Sequence, residues 1–146
     1  MIRSLLFLFL APLLLGCSRS LDDLDGYDKQ SGDVGAFILQ RASKFGARAQ
    51  QTNGLPQFTV DWRYKEDADG FQIYIAGDHF AQLQSFLTSA FGPPAKPPTT
   101  NELAGTKSIG TYYGAQLGAA LTYGWEMTRD GKQFTSMAVV RASALK

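Results

Sequence analysis

The chain has 146 residues, with 14 Lys and Arg against 13 Asp and Glu, a single Cys and a single His. So even a balance gives no reason to expect nucleic acid or another polyanion as a partner. One cysteine excludes an intrachain disulfide, so stability must come from a packed core, to which 10 Phe and 6 Tyr contribute.

The first element is a targeting segment. Met1-Ile2-Arg3-Ser4 carries one positive charge and leads into an unbroken apolar run over residues 5–15. That run has the length of a signal-peptide core and falls well short of the ~20 residues that span a bilayer. It ends in Leu14-Leu15-Gly16-Cys17, where Gly16 supplies the small residue that cleavage requires and Cys17 the chain's only thiol. The Ala-x-Ala-like site of an ordinary secretory signal is absent. Arg19 and the acidic residues after it stop the run too early for a membrane-spanning anchor. Residues 1–17 resemble a bacterial lipoprotein signal peptide, and Leu-Leu-Gly-Cys matches that family's lipobox. The resemblance implies removal of residues 1–16, a diacylglyceryl thioether on Cys17 and acylation of its new amino group. Two or three acyl chains anchor persistently where one does not, so the lipid bilayer is the implied partner. In a Gram-negative host, Ser18 in place of an aspartate implies the outer membrane, with the domain facing the periplasm. Loss of Arg3 with the signal brings the basic side chains level with the 13 acidic ones.

Residues 17–32 read as the lipidated Cys17 followed by a flexible acidic tether. Asp22, Asp23, Asp25 and Asp28 dominate it, and so polar a stretch buries too little surface to offset its ordering entropy. Fully extended, it reaches roughly 50 Å. Its Asp23-Leu24-Asp25-Gly26 suggests a calcium loop, but the EF-hand template would put Leu21 at the first ligand position and Gly32 at the twelfth.

Residues 33–146 read as one globular domain. Val34, Ile38, Ala42, Phe45 and Ala49 recur at helical spacing, predicting a helix over residues 33–50. Asp33 at its start and Arg41, Lys44 and Arg48 in its later turns complement the helix dipole. The three basic residues share a face, either simply solvated or a dock for anionic lipid head groups or a polyanion. Asn53-Gly54-Leu55-Pro56 ends the element. Phe58, Val60, Trp62 and Tyr64 then alternate with polar residues, and after the turn Glu66-Asp67-Ala68-Asp69-Gly70 so do Phe71, Ile73 and Ile75. Pairing Tyr64 with Phe71 and Trp62 with Ile73 puts the large apolar residues on one side. Asp78 is the expected cap of a second helix whose buried stripe is Phe80, Leu83, Leu87 and Ala90 or Phe91, stopped by Gly92-Pro93-Pro94.

Residues 93–108 read as irregular. Pro94-Ala95-Lys96-Pro97 is either a polyproline ligand or part of a surface crossover. A short strand is expected over residues 109–113, and strict alternation over residues 117–127 predicts a long one. Asp130-Gly131 is a two-residue hairpin signal that would pair Met127 with Phe134, Trp125 with Ser136 and Tyr123 with Ala138. Residues 134–141 form the last strand. The fold class is therefore α+β: a two-layer sandwich with two helices on one face of a four- to five-stranded, mostly antiparallel sheet, in the order α-β-β-α-(β)-β-β.

The inventory for chemistry is thin. His79 is the only histidine, a zinc site would have to rely on carboxylates, and neither a nucleophile elbow, a phosphate loop nor a dinucleotide fingerprint is present. A hydrolase would have to rest on Asp78 and His79, or on a carboxylate pair drawn from Asp61, Asp78 and Glu126. The expected function is instead non-catalytic and needs no cofactor or metal: an accessory module that engages another envelope protein through the sheet face away from the helices. On the expected register that face carries Thr59, Asp61, Arg63, Gln72, Tyr74, Thr122, Glu126, Thr135, Met137 and Arg141. Arg63, Tyr74 and Arg141, with Tyr112 and Tyr113 at a rim, are the candidate binding residues. The alternative is an inhibitor or immunity-type lipoprotein that inserts residues 110–114 into a wall-degrading enzyme.

Overall fold

The computed structural model describes residues 26–101, 106–112, 117–127 and 131–145. The elements are β1 (Asp28–Asp33), α1 (Val34–Lys44), β2 (Thr59–Glu66), β3 (Gly70–Ala76), α2 (Phe80–Phe91), β4 (Thr100–Asn101), β5 (Thr106–Tyr112), β6 (Ala119–Met127) and β7 (Gln133–Arg141). A short 3-10 turn, Ala142–Leu145, follows. The strands form one open antiparallel sheet in the order β1-β2-β3-β7-β6-β5-β4. Six of them are substantial, and β4 is a two-residue pairing at one edge. Both helices pack on the same face, where Ile38, Leu83 and Leu87 meet Trp62, Ile73, Tyr123 and Met137 in a continuous core. The α+β class is thus as expected, with more strands than the pattern suggested. Among the described residues, no helix is long and apolar enough to cross a membrane.

The two unforeseen strands are built from backbone bonds rather than side-chain patterning. β1 occupies Asp28–Asp33, so the last five residues assigned to the tether belong to the sheet instead. Its side chains are nearly all exposed, and the ladder to β2 holds it. At the opposite edge, the Ala95 amide donates to the Thr111 carbonyl at 2.8 Å, Lys96 bridges Thr111, and β4 pairs with Thr106 and Lys107. The proline-rich stretch therefore lies along β5, where it covers an edge that would otherwise present unpaired backbone groups.

Helix α1 starts as expected, with the Asp33 carboxylate accepting from the Ala36 amide at 3.1 Å, but it stops at Lys44 rather than near residue 50. Gly46, at a φ of +95°, takes the left-handed conformation that terminates helices. The Ala47 amide donates to the Ala42 carbonyl at 2.9 Å and the Gly46 amide to Ser43 at 3.1 Å, which closes a Schellman motif. Arg48 consequently leaves the basic face shared by Arg41 and Lys44. Its amide donates to the Leu117 carbonyl at 3.1 Å, and the chain then runs extended beside α2, where the Gln50 amide donates to Ala90 at 2.7 Å.

Both hairpins depart from the expected registers, with different consequences. In the first, Tyr64 faces Ile73 and Glu66 faces Phe71, a slip of two residues. A slip of two preserves the side of every residue, so Trp62, Tyr64, Phe71, Ile73 and Ile75 still point to the core. In the second, Met127 faces Gln133, Trp125 faces Thr135 and Tyr123 faces Met137, a slip of one. That reverses β7. Met137 and Val139 are inward and fully buried, whereas Phe134, Ser136 and Ala138 lie on the other face. Burial of Met137 and Val139 outweighs the local preference of Asp130-Gly131 for a two-residue turn.

Candidate functional site

The face away from the helices is organised by two rows across the strands. One runs Lys29, Arg63, Tyr74, Ser136 and Gly124; the next runs Lys65, Gln72, Ala138 and Thr122. Arg63 and Tyr74 are directly opposed, so the structure brings these two expected residues together. Tyr74 is buried, however, and Tyr27 covers it. The Tyr27 ring packs edge-on against Tyr74, with centroids 5.5 Å apart, and its hydroxyl donates to the Gln72 side-chain oxygen. The Lys65 ammonium sits 5.5 Å from the Tyr27 ring centroid. Tyr27 was hidden in the stretch assigned to the tether; its signal was being the one aromatic residue there.

The other expected residues are elsewhere. Arg141 lies on the helix side as a result of the reversed β7, with its guanidinium stacked 5.0 Å from the centroid of Phe45. Thr135 and Met137 go with it. The Thr135 hydroxyl accepts from the His79 amide and donates to the Gly77 carbonyl, both at 2.8 Å, which ties the start of α2 to β7. Tyr112 is the last residue of β5, in register with Leu121 and separated from Arg63 by the three strands β3, β7 and β6. Tyr113 lies outside the described residues. Gly110, expected in an inserting loop, is a buried strand residue opposite Tyr123.

The exposed part of the face is its margin on β1 and β2. Lys29, Ser31, Thr59 and Asp61 are exposed there, and Arg63 is half-buried. Lys29 and Arg63 are direct cross-strand neighbours. Exposed Asp61 lies on the same face, opposite Ser31, so the margin carries both signs of charge.

On the helix side of the same strand, Glu66 is the centre of a separate cluster. It accepts from the Tyr64 hydroxyl and the Lys44 ammonium, and Arg41 lies 3.5 Å away. Arg41 also stacks over Phe37 and Tyr64, at 5.5 and 5.7 Å. Burial, and after it the hydrogen bond to Glu66, pushes the Tyr64 phenol well above its ordinary range, so it remains a donor at all working pH values. Burial raises the Glu66 carboxyl, but the hydrogen bonds from Lys44 and Tyr64 and the nearby cations together outweigh it and hold the group below its ordinary value of 4.5. A carboxylate lowered in the folded state contributes stability that is present above the unfolded value and lost as pH falls through the folded one. Glu66→Gln should therefore cost about 1 kcal/mol or less at neutral pH, since half-exposed Lys44 is screened by water. It should also flatten the loss of stability below pH 4.5, which urea denaturation at stepped pH reads directly.

Asp78 and His79 each bond within the first turn of α2. The Asp78 carboxylate accepts from the Phe80 amide at 3.1 Å, and the His79 Nδ1 lies 2.7 Å from the Gln82 side-chain oxygen. His79, not Asp78, occupies the cap position of α2, and its side chain makes no capping bond. Among the described residues, no group of three or more His, Cys, Asp or Glu is placed to hold a metal ion. No family model, curated protein or solved structure matches the chain.

Proposed function

We propose that this chain is a bacterial envelope lipoprotein, anchored through Cys17, whose domain is a non-catalytic module for binding another envelope protein. The observation that carries the anchoring is the run Leu14-Leu15-Gly16-Cys17 directly after the apolar stretch of residues 5–15. In a Gram-negative host, Ser18 favours the outer membrane, with the domain in the periplasm. The binding half of the reading is supported by the β1–β2 margin of the sheet. Lys29 and Arg63, neighbours across β1 and β2 with exposed Ser31 and Asp61 beside them, offer a partner a polar surface of mixed charge.

The test is a photo-crosslinking residue placed at Asp61 of the full-length chain in intact cells. A discrete heteromeric adduct is expected, and Lys29→Glu with Arg63→Glu should reduce its yield by roughly tenfold or more. An adduct of unchanged yield in the charge-reversed chain, or none from this margin, would reject the surface.

A further inference from the structure

The two edges of the sheet are built differently. At one, residues 95–101 lie along β5, and Pro93, Pro94, Pro97 and Pro98 in that stretch lack the amide hydrogen that a further strand would use. At the other lies β1, six residues in unbroken register with β2, and among the described residues no strand lies beyond it. The Val34 amide fixes the phase of its hydrogen bonds, donating to the Phe58 carbonyl at 3.0 Å in continuation of the β1–β2 register. Bonded pairs alternate along an antiparallel ladder, so Asp28, Gln30 and Gly32 turn their backbone groups to β2. Lys29, Ser31 and Asp33 turn theirs outward. Asp33 ends the strand as the cap of α1, which leaves Lys29 and Ser31 to present a row of donors and acceptors along the edge.

We infer that a second copy of this chain adds to that edge, β1 against β1 and antiparallel, about a twofold axis at Gln30. In this register Lys29 faces Ser31 of the second copy on each side of the axis, and each such pair exchanges two backbone hydrogen bonds. A shift that set Lys29 against Lys29 would oppose like charges and is disfavoured. The side chains favour the same register. Within one copy Lys29 is opposite Arg63 and Ser31 is opposite Asp61, all on the face away from the helices. Across the axis the row therefore runs Arg63 and Lys29, then Ser31 and Asp61 of the second copy, cations toward an anion, and the symmetry repeats it in reverse. Two strand spacings, ~10 Å, separate the Lys29 backbone from that Asp61, a gap the two side chains together can close. The helices do not obstruct the approach. α1 lies over β2, where Phe37 packs on Trp62 and Tyr64, so two copies of α1 stand about 14 Å apart, more than a helix diameter. Because both copies contribute the same strand, the assembly closes at two. The contact is homomeric and made by the edge of β1, so it stands or falls separately from the heteromeric partner proposed above.

The experiment is a cysteine scan in intact cells, with Lys29→Cys, Gln30→Cys and Ser31→Cys made singly in the full-length chain and the unaltered chain reporting any link through Cys17. Gln30 meets its own copy as a non-hydrogen-bonded pair, whose Cα atoms approach to ~4.5 Å and suit a disulfide, whereas the other two meet their copies only diagonally. Mild oxidation should give a disulfide-linked homodimer from Gln30→Cys in a yield about fivefold or more above that of either neighbour. Equal yields from all three positions, no homodimer from Gln30→Cys, or links only to another protein would overturn the pairing. A second variant removes the edge bond itself. Ser31→Pro deletes an outward amide and no bond to β2, a change that edge strands accept. Added to Gln30→Cys, it should lower the homodimer yield about fivefold or more, and an unchanged yield would reject the inference.

Discussion

Growing cells should incorporate labelled palmitate into this protein, and the Cys17→Ser variant should incorporate none. Formation of a thioether needs a sulfur nucleophile, and Cys17 is the only cysteine in the chain. A serine hydroxyl keeps the size and the position but ionises many pH units higher than a thiol, so it does not replace the thiolate. Each buried methylene contributes ~0.8 kcal/mol to membrane attachment, so loss of the acyl chains removes tens of kcal/mol of attachment at a stroke. The intact mass should drop by the full lipid adduct in the same experiment. Equal labelling of both chains, or of neither, would end the lipoprotein reading.

The second large effect is expected inside the sheet, where Gly110→Ala should destabilise the domain by about 3 kcal/mol, near the upper end of overpacking costs. Gly110 lies opposite Tyr123, and the Tyr123 ring leans across it. An added Cβ would stand 2.6 Å from the ring's Cε1, well inside contact distance. The ring has nowhere to retreat. It is fully buried, packs against Phe80 at a centroid distance of 5.5 Å, and its hydroxyl accepts from the Gln84 side-chain nitrogen at 3.4 Å. In thermal denaturation the change corresponds to about 10 °C for a domain of this size. The mechanism has its own check. In a Tyr123→Leu background the glycine substitution should become nearly neutral, because the atoms it strikes are gone. Strictly additive costs for the two changes would show that the ring is not the obstacle.

Much of this fold was legible where side chains carry the periodicity. The stripe Val34, Ile38, Ala42 and the alternation of Trp62, Tyr64, Phe71 and Ile73 placed α1, β2 and β3 on the correct sides of the core, even though the hairpin register is two residues off. The last strand was misread because Asp130-Gly131 is a strong local signal and Phe134 looked like a core residue. Turning Phe134 inward would have expelled both Met137 and Val139, and the structure resolves the conflict in their favour. Arg141 moved to the helix side through the same one-residue slip, which separated it from Arg63 and Tyr74. Strand β1 left no trace in hydropathy, because it joins the sheet through its backbone and keeps Asp28, Lys29, Gln30 and Ser31 in water. The candidate site was half legible for that reason. That Arg63 and Tyr74 share a face follows from two patterned strands, although the expected register set Arg63 against Gln72; Lys29 arrives on the unpatterned β1 and Tyr27 just before it.

The strand order also dictates a sequence of events as the polypeptide emerges. β1, β2 and β3 lie together, and so do β7, β6, β5 and β4, but the two groups meet only along β3 and β7. As the chain emerges from its N-terminus, the first group arrives with Phe71, Ile73 and Ile75 still bare and the free side of β3 unzipped. The seam cannot shut until Gln133–Arg141, nearly the last piece of chain, has been delivered. Late closure of this kind leaves the half-made molecule with bare apolar strands and an open edge, the features that invite aggregation. Truncations that remove only a dozen residues from the C-terminus should be as damaging as those that remove half the chain.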